Sequence, residues 1–128
     1  MRRLLIGLTA VGFIVALSAP AQAKVETVKG QLIDQGCYTM NKANTGERHN
    51  MPKGPVENCA TICAKGGHAV ALLTSDGKVY QITGDLAADK NAKLVAHMTH
   101  TVEVTGDVMT EADGTMKIAG TNLKMISR

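Results

Sequence analysis

The feature that most constrains the fold is an apolar segment, a tight turn and a second strand-like segment in the middle of the chain. Residues 68–74 read HAVALLT, an apolar run of strand length, and residues 78–83 read KVYQIT. Between them, Ser75-Asp76-Gly77 has the composition of a hairpin turn, because Gly accepts the positive φ that such turns require. The pattern predicts an antiparallel β-hairpin.

Three further segments have the β-branched content and the alternation of strands. In the first of them Gly30 indicates a bulge or bend, and in the last a break is expected at Gly120. A second turn sequence, residues 111–114 (EADG), precedes that last strand. The three segments are residues 24–34, 100–108 and 115–126.

Residues 84–98 have little β character and fit one or two short helical turns, with Asp85 or Asp89 as caps. Their apolar stripe is Leu86, Ala87, Leu94, Val95 and Met98. Five strands with a helical piece between the third and the fourth match the OB-fold. The sequence therefore predicts an all-β protein with minor α content: a small five-stranded OB-like Greek-key barrel. Another small barrel or an open antiparallel sheet is the alternative.

A short helix carrying a Cys-x3-Cys motif is expected between strands 1 and 2 of this barrel. Residues 41–53 are polar and predict a surface loop. Pro55 suits the first turn of a helix over residues 56–65, which Gly66-Gly67 would end. Cys59 and Cys63 are four residues apart and share one face of such a helix.

The N-terminus has the pattern of a secretory signal peptide. A basic start with Arg2 and Arg3 precedes an uncharged apolar run, and Ala21-Gln22-Ala23 fits a cleavage site. We expect residues 1–23 to be removed, leaving residues 24–128 as a single periplasmic or secreted domain without a transmembrane anchor. The two arginines leave with the leader and the mature chain is nearly neutral, so a nucleic-acid partner is not expected.

The three cysteines are the main chemical feature of the mature chain. In an oxidising compartment thiols normally pair, and a disulfide from Cys37 to Cys59 or Cys63 would close a loop of about 20 residues, worth roughly 3 kcal/mol. The leading hypothesis is therefore an exported, non-enzymatic binding or accessory protein of the cell envelope, stabilised by that bridge. Its ligand is not identified by the sequence.

A thiophilic metal site is the second hypothesis. Cys37, Cys59 and Cys63 would supply three sulfur ligands, which select Cu(I) or Zn(II). His49 and His68 are weaker candidates for an additional ligand. A thiol redox protein is the third hypothesis, although the spacing is not the Cys-x2-Cys of thioredoxin-like sites. No catalytic residue is identified, because the sequence contains no Ser-His-Asp signature, phosphate-binding loop or His-Glu-x2-His motif.

The blocks GQLIDQGCY, CATICAKGG and ALLTSDGKVYQITGD resemble small exported bacterial proteins without an established activity. Those proteins have an OB-like barrel with a first-strand Cys, a Cys-x3-Cys helix and an "LLT-DGK-Y" hairpin. The resemblance spans about residue 30 to the end and implies the fold and export. Such proteins often have a His just before the first helical Cys; here residues 56–58 are VEN, so His49 or His68 would have to replace it.

Overall fold

A computed structural model describes residues 23–128 of the chain. The predicted signal peptide, apart from Ala23, lies outside the described residues. In the part of the chain that is described, no helix has both the length and the apolar character of a membrane span. The strands are β1 (Lys24–Asp34), β2 (His49–Met51), β3 (Gly54–Val56), β4 (Val70–Leu73), β5 (Val79–Thr83), β6 (Thr101–Thr110) and β7 (Met116–Ser127). The α-helices are α1 (Gln35–Met40), α2 (Cys59–Lys65) and the irregular α3 (Ala88–Asn91), in which Asp89 and Lys90 have positive φ.

Five of these strands form a closed barrel in the order β1-β4-β5-β7-β6, which confirms the predicted barrel. The β5–β7 pair is parallel, and the other four pairs are antiparallel. β1 closes the barrel because it pairs with β6 along residues 24–31 and with β4 along residues 31–34. β2 and β3 form a separate two-stranded sheet.

The change of partner along β1 occurs beside Gly30, where the sequence predicted a bulge or bend. A Cβ atom at Gly30 would lie 2.7 Å from the Leu73 carbonyl oxygen, so only Gly allows the two strands to approach so closely. The register of β1 against β6 is unbroken there, so the residue marks a close approach and not a bulge. The break predicted near Gly120 is present as a register shift between β6 and β7, next to the Gly106–Gly120 pair.

The core fills the barrel with aliphatic side chains and continues under the helices at one end. Ala60 and Ala64 of α2 belong to it, as do side chains from short helical turns at Gly84–Ala87 and Val95–His97 and from the residues around them. The predicted apolar stripe in this region is buried or packed against the core. Neither Asp85 nor Asp89 caps a turn with its side chain. The barrel and turn residues of the core are Leu32, Val70, Leu72, Ile82, Leu86, Leu94, Met98, Val102, Val104 and Ile118.

Two helical expectations differ from the structure. α1 was not anticipated: Cys37 lies in this helix and not in the first strand. α2 begins at Cys59 and not at residue 56, because Gly54–Val56 pairs with β2 as strand β3 and Asn58 has φ 54°. Pro55 is tolerated there because it sits in a short two-stranded sheet, where a missing N–H is easily accommodated. The predicted loop over residues 41–53 likewise contains β2.

The predicted central hairpin is confirmed. β4 and β5 pair through Leu73 and Val79, and the Thr74 amide donates to the Lys78 carbonyl at 2.9 Å. Gly77 has φ 85°, and the space around its Cα is open.

Replacing Gly77 with Ala should therefore cost stability through backbone strain alone, by roughly 1–2 kcal/mol. Gly46→Ala is the matched control, since Gly46 also has open space around it and no positive φ. The check is the free energy of unfolding from urea titrations of the reduced protein. Equal unfolding free energies for the two variants would contradict the turn conformation.

Candidate metal centre

Cys37 is positioned by the residue that ends β1. Asp34 pairs with Val70 of β4, so the barrel fixes its backbone. Its Oδ1 atom accepts a hydrogen bond of 2.8 Å from the Cys37 amide and caps the first turn of α1. The cap ties Cys37, which is 5% exposed, to the end of the barrel.

Cys59 and Cys63 are positioned by α2. Glu47, from the preceding loop, accepts hydrogen bonds from the backbone N–H groups of the first turn of this helix. The Glu47 carbonyl accepts from the Cys59 amide at 2.7 Å. Its carboxylate accepts from the Thr61 amide and hydroxyl at 3.2 and 2.6 Å. Asn58, which precedes the helix, makes no capping hydrogen bond with its side chain.

The same loop also holds α1. The buried Asn44 amide group donates to the Cys37 carbonyl at 3.2 Å, and its Oδ1 accepts from the Asn50 amide at 2.8 Å. Asn44 and Glu47 are three residues apart and bind the two helices that carry the thiols. The loop predicted as a polar surface segment is therefore a connector that fixes α1 and α2 with respect to each other.

The result is a cluster of all three thiols. The Sγ atoms of Cys37, Cys59 and Cys63 lie within 4.8 Å of one another, and those of Cys59 and Cys63 are 3.9 Å apart. The sequence predicted that these residues would be close, and the structure brings them together. Cys37 and Cys59 are buried, and Cys63 is half-buried.

The predicted disulfide from Cys37 to Cys59 or Cys63 is not formed. All three cysteines belong to the described part of the chain and are free thiols. The remaining pair, Cys59 and Cys63 in α2, is not bonded either, because their sulfur atoms are 3.9 Å apart and a disulfide bond is about 2.05 Å long. The physical reason is that α1 and α2 present three sulfur atoms to a common point, an arrangement that does not favour one pair.

Two thiols of the cluster, Cys37 and Cys63, are held in the protonated form by a raised pKa. Burial, reinforced by the Asp34 carboxylate and by Cys59, raises the pKa of Cys37 to about 12. The same causes raise the pKa of Cys63 to about 12. A thiol oxidoreductase needs a cysteine whose pKa is lowered by positive charge, and here the neighbouring charge is negative. The raised pKa of Cys37 and Cys63 therefore gives the redox hypothesis no support at these two residues.

A second group of ligand atoms adjoins the thiols. Asp34, Cys63 and His68 each place one ligand atom within 4.8 Å of the other two. Asp34 is 1% exposed, and its Oδ2 atom has no hydrogen-bond partner among residues 23–128. His68 is exposed and follows Gly66-Gly67 at the end of α2.

Of the two histidines considered in the sequence, only His68 lies in a group with a cysteine. His49 is fully buried in β2 and belongs to neither group, and both its ring nitrogens lack hydrogen-bond partners within the described residues. Sequence reasoning missed Asp34 and Glu47. The signal for Asp34 was its position three residues before Cys37 at the end of a strand, which is the spacing of a helix cap.

Comparison with protein-family models, with curated proteins and with solved structures finds no match to this chain.

The raised thiol pKa predicts slow alkylation of the metal-free, reduced protein. At pH 8 Cys63, which is half-buried and so accessible, should react with iodoacetamide at least about 100-fold more slowly than in urea, because the thiolate is the reactive form. Asp34→Asn should speed the reaction, since it removes a charge that raises the pKa while Asn can still cap α1. Site-resolved mass spectrometry measures both rates. A Cys63 rate in the folded protein equal to that in urea would contradict the assignment.

Proposed function

We propose that this chain is an exported protein that binds one thiophilic metal ion, Cu(I) or Zn(II), through Cys37, Cys59 and Cys63. The observation that carries the proposal is the convergence of three sulfur atoms from two helices within 4.8 Å. Thiolates bound to a tetrahedral zinc ion at about 2.3 Å lie about 3.8 Å from each other. The 3.9 Å between Cys59 and Cys63 matches that spacing.

The chemistry of the donor set supports the same conclusion. Soft thiolates favour Cu(I) and Zn(II) over the hard ions Mg²⁺ and Ca²⁺. The three sulfur atoms alone suffice for a three-coordinate ion, and a four-coordinate ion needs one further ligand. Both requirements can be met here, because Cys63 is only half-buried and a water molecule can take the fourth position.

The two helices are already held in place, so binding of the metal ion would require little additional ordering of the chain. Asn44 and Glu47 hold α1 and α2 through hydrogen bonds that do not involve the thiols. Ala60 and Ala64, each next to a cysteine in the sequence, pack an adjacent face of α2 into the barrel core. A site held this way loses little conformational entropy when the ion binds, which favours affinity.

The direct test is metal uptake by reduced protein in competition with a chromophoric chelator. Wild-type protein should take up one equivalent of Zn(II) or Cu(I). Cys59→Ser and Cys63→Ser should each weaken binding by more than roughly 100-fold, since even supporting residues around a metal commonly contribute about 10–100-fold.

His49→Ala serves as the control in the same assay, because His49 lies outside both ligand groups. Its affinity should equal that of the wild type once circular dichroism has shown that the variant is folded. The metal proposal is wrong if reduced wild type and the Cys59→Ser, Cys63→Ser double variant retain the same amount of metal.

Metal binding should also raise thermal stability, because the complete site exists only in the folded chain. At a free metal concentration 100 times Kd, the native state gains about 2.7 kcal/mol, which corresponds to roughly 10 °C in Tm for a domain of this size. Cys37→Ser should abolish most of this shift, since it disconnects α1 from the ion. Differential scanning calorimetry of the reduced proteins measures it, and equal shifts for wild type and Cys37→Ser would argue against a site that spans both helices.

A further inference from the structure

The two ligand groups at this end of the barrel share one residue. Cys63 belongs to the three-thiol group with Cys37 and Cys59, and also to the group with Asp34 and His68. In each group every ligand atom is within 4.8 Å of the other two. Two three-ligand positions that share one sulfur atom allow a metal ion to move from one position to the other without leaving that sulfur atom.

The two positions differ in their access to solvent. Cys37 and Cys59 are 5% and 6% exposed, so the three-thiol position is closed on that side. Cys63 is half-buried, and His68 is exposed. The Asp34–Cys63–His68 position therefore extends from the buried thiols to the surface, and an incoming ion meets His68 first.

The hydrogen bonding of Asp34 also indicates that a cation could bind at the Asp34–Cys63–His68 position. Its Oδ1 atom is committed to the Cys37 amide, so the carboxylate is held in one orientation. Its Oδ2 atom is buried without a hydrogen-bond partner among residues 23–128. A buried carboxylate oxygen without a partner is costly, and a coordinated cation would remove that cost.

Hydrogen bonds of its backbone hold His68 in place, and its imidazole ring is left available to bind a ligand. Its amide donates to the Cys63 carbonyl at 3.1 Å, and its carbonyl accepts from the buried Asn91 side chain at 2.8 Å. A Cβ atom at Gly66 would lie 3.5 Å from the ring Cδ2 atom, an ordinary van der Waals distance, so the imidazole lies beside the end of α2. The imidazole thus stays next to Cys63 while remaining accessible to solvent.

We infer that Asp34, Cys63 and His68 form an entry position through which Zn(II) passes to and from the buried thiols. This inference rests on the proposed metal-binding function. Zn(II) is the ion specified, because sulfur, imidazole nitrogen and carboxylate oxygen are all regular zinc ligands, whereas carboxylate oxygen is a poor ligand for Cu(I). The ion moves by exchange of ligands around Cys63, with His68 and Asp34 replaced by Cys37 and Cys59.

The test separates the rates of exchange from the affinity. Stopped-flow mixing of reduced protein with Zn(II), and of Zn(II)-loaded protein with a chromophoric chelator, gives the rates of uptake and release. In His68→Ala both rates should fall by about 10-fold or more, the size of effect usual for a lost supporting ligand, while Kd changes by less than about 3-fold. Asp34→Asn should behave in the same way, because Asn can retain the cap of α1 and removes the anionic oxygen.

His97→Ala and Asp85→Asn are the matched controls, since neither residue belongs to a ligand group. Both should exchange Zn(II) at wild-type rates. Unchanged rates in His68→Ala and Asp34→Asn would overturn the entry position. A weaker Kd with faster release would also overturn it, because His68 would then be a permanent ligand of the bound ion. Failure of wild-type protein to bind Zn(II) would instead refute the proposed function itself, so the two failures are distinguishable.

Discussion

The hydrogen bond from the Cys37 amide to the Asp34 carboxylate joins the barrel to the site. Asp34 is the last residue of β1 and is paired with Val70, so its position is fixed by barrel closure. The capping bond makes the chain turn from strand to helix at this point and places Cys37 three residues further on. Because α2 packs against β1 at the same end, the thiols of both helices meet beside this carboxylate.

The barrel itself depends on close approach of strands and on small side chains. Tyr80 is the only aromatic residue of the described chain that packs against the core, and the remaining core is aliphatic. Such a core holds α2 through Ala60 and Ala64, which offer little buried area. The hydrogen bonds of Asn44 and Glu47 are therefore important for holding α1 and α2 in place. A metal ion bound between the two helices would link them directly.

The sequence predicted the barrel well, because the strands can be recognised from local patterns: alternation of apolar and polar residues, and the residue types of the turns. β1 has the predicted bounds, and the central hairpin follows from two strand-like segments joined by the turn at Asp76-Gly77. The beginning of α2 was wrong, because pairing of Gly54–Val56 with β2 outweighs the preference of Pro55 for a first helical turn. Such pairing is a tertiary effect that no local pattern reveals.

The site was predictable only in part for a similar reason. The face shared by Cys59 and Cys63 follows from helical spacing, and the proximity of Cys37 was expected from the chemistry of exported cysteines. The roles of Asp34 and Glu47 depend on which chain segments the closed barrel brings together. The predicted disulfide was wrong because sequence spacing cannot distinguish two converging sulfur atoms from three.

One electrostatic arrangement would account for both the raised pKa of the thiols Cys37 and Cys63 and the proposed binding of a metal ion. Three sulfur atoms and a carboxylate share a largely buried space, and Asp34 forms no salt bridge with a cationic side chain in the described chain. Without a metal, the raised pKa of Cys37 and Cys63 keeps these two thiols protonated, and protonated thiols resist oxidation. In the proposed function, a divalent cation would offset the negative charge of the thiolates and of Asp34, so the thiols would lose their protons as the ion binds. The Asp34 carboxylate, which adds to the effect of burial on the pKa of Cys37 and Cys63, would thus also be the group that attracts the proposed cation.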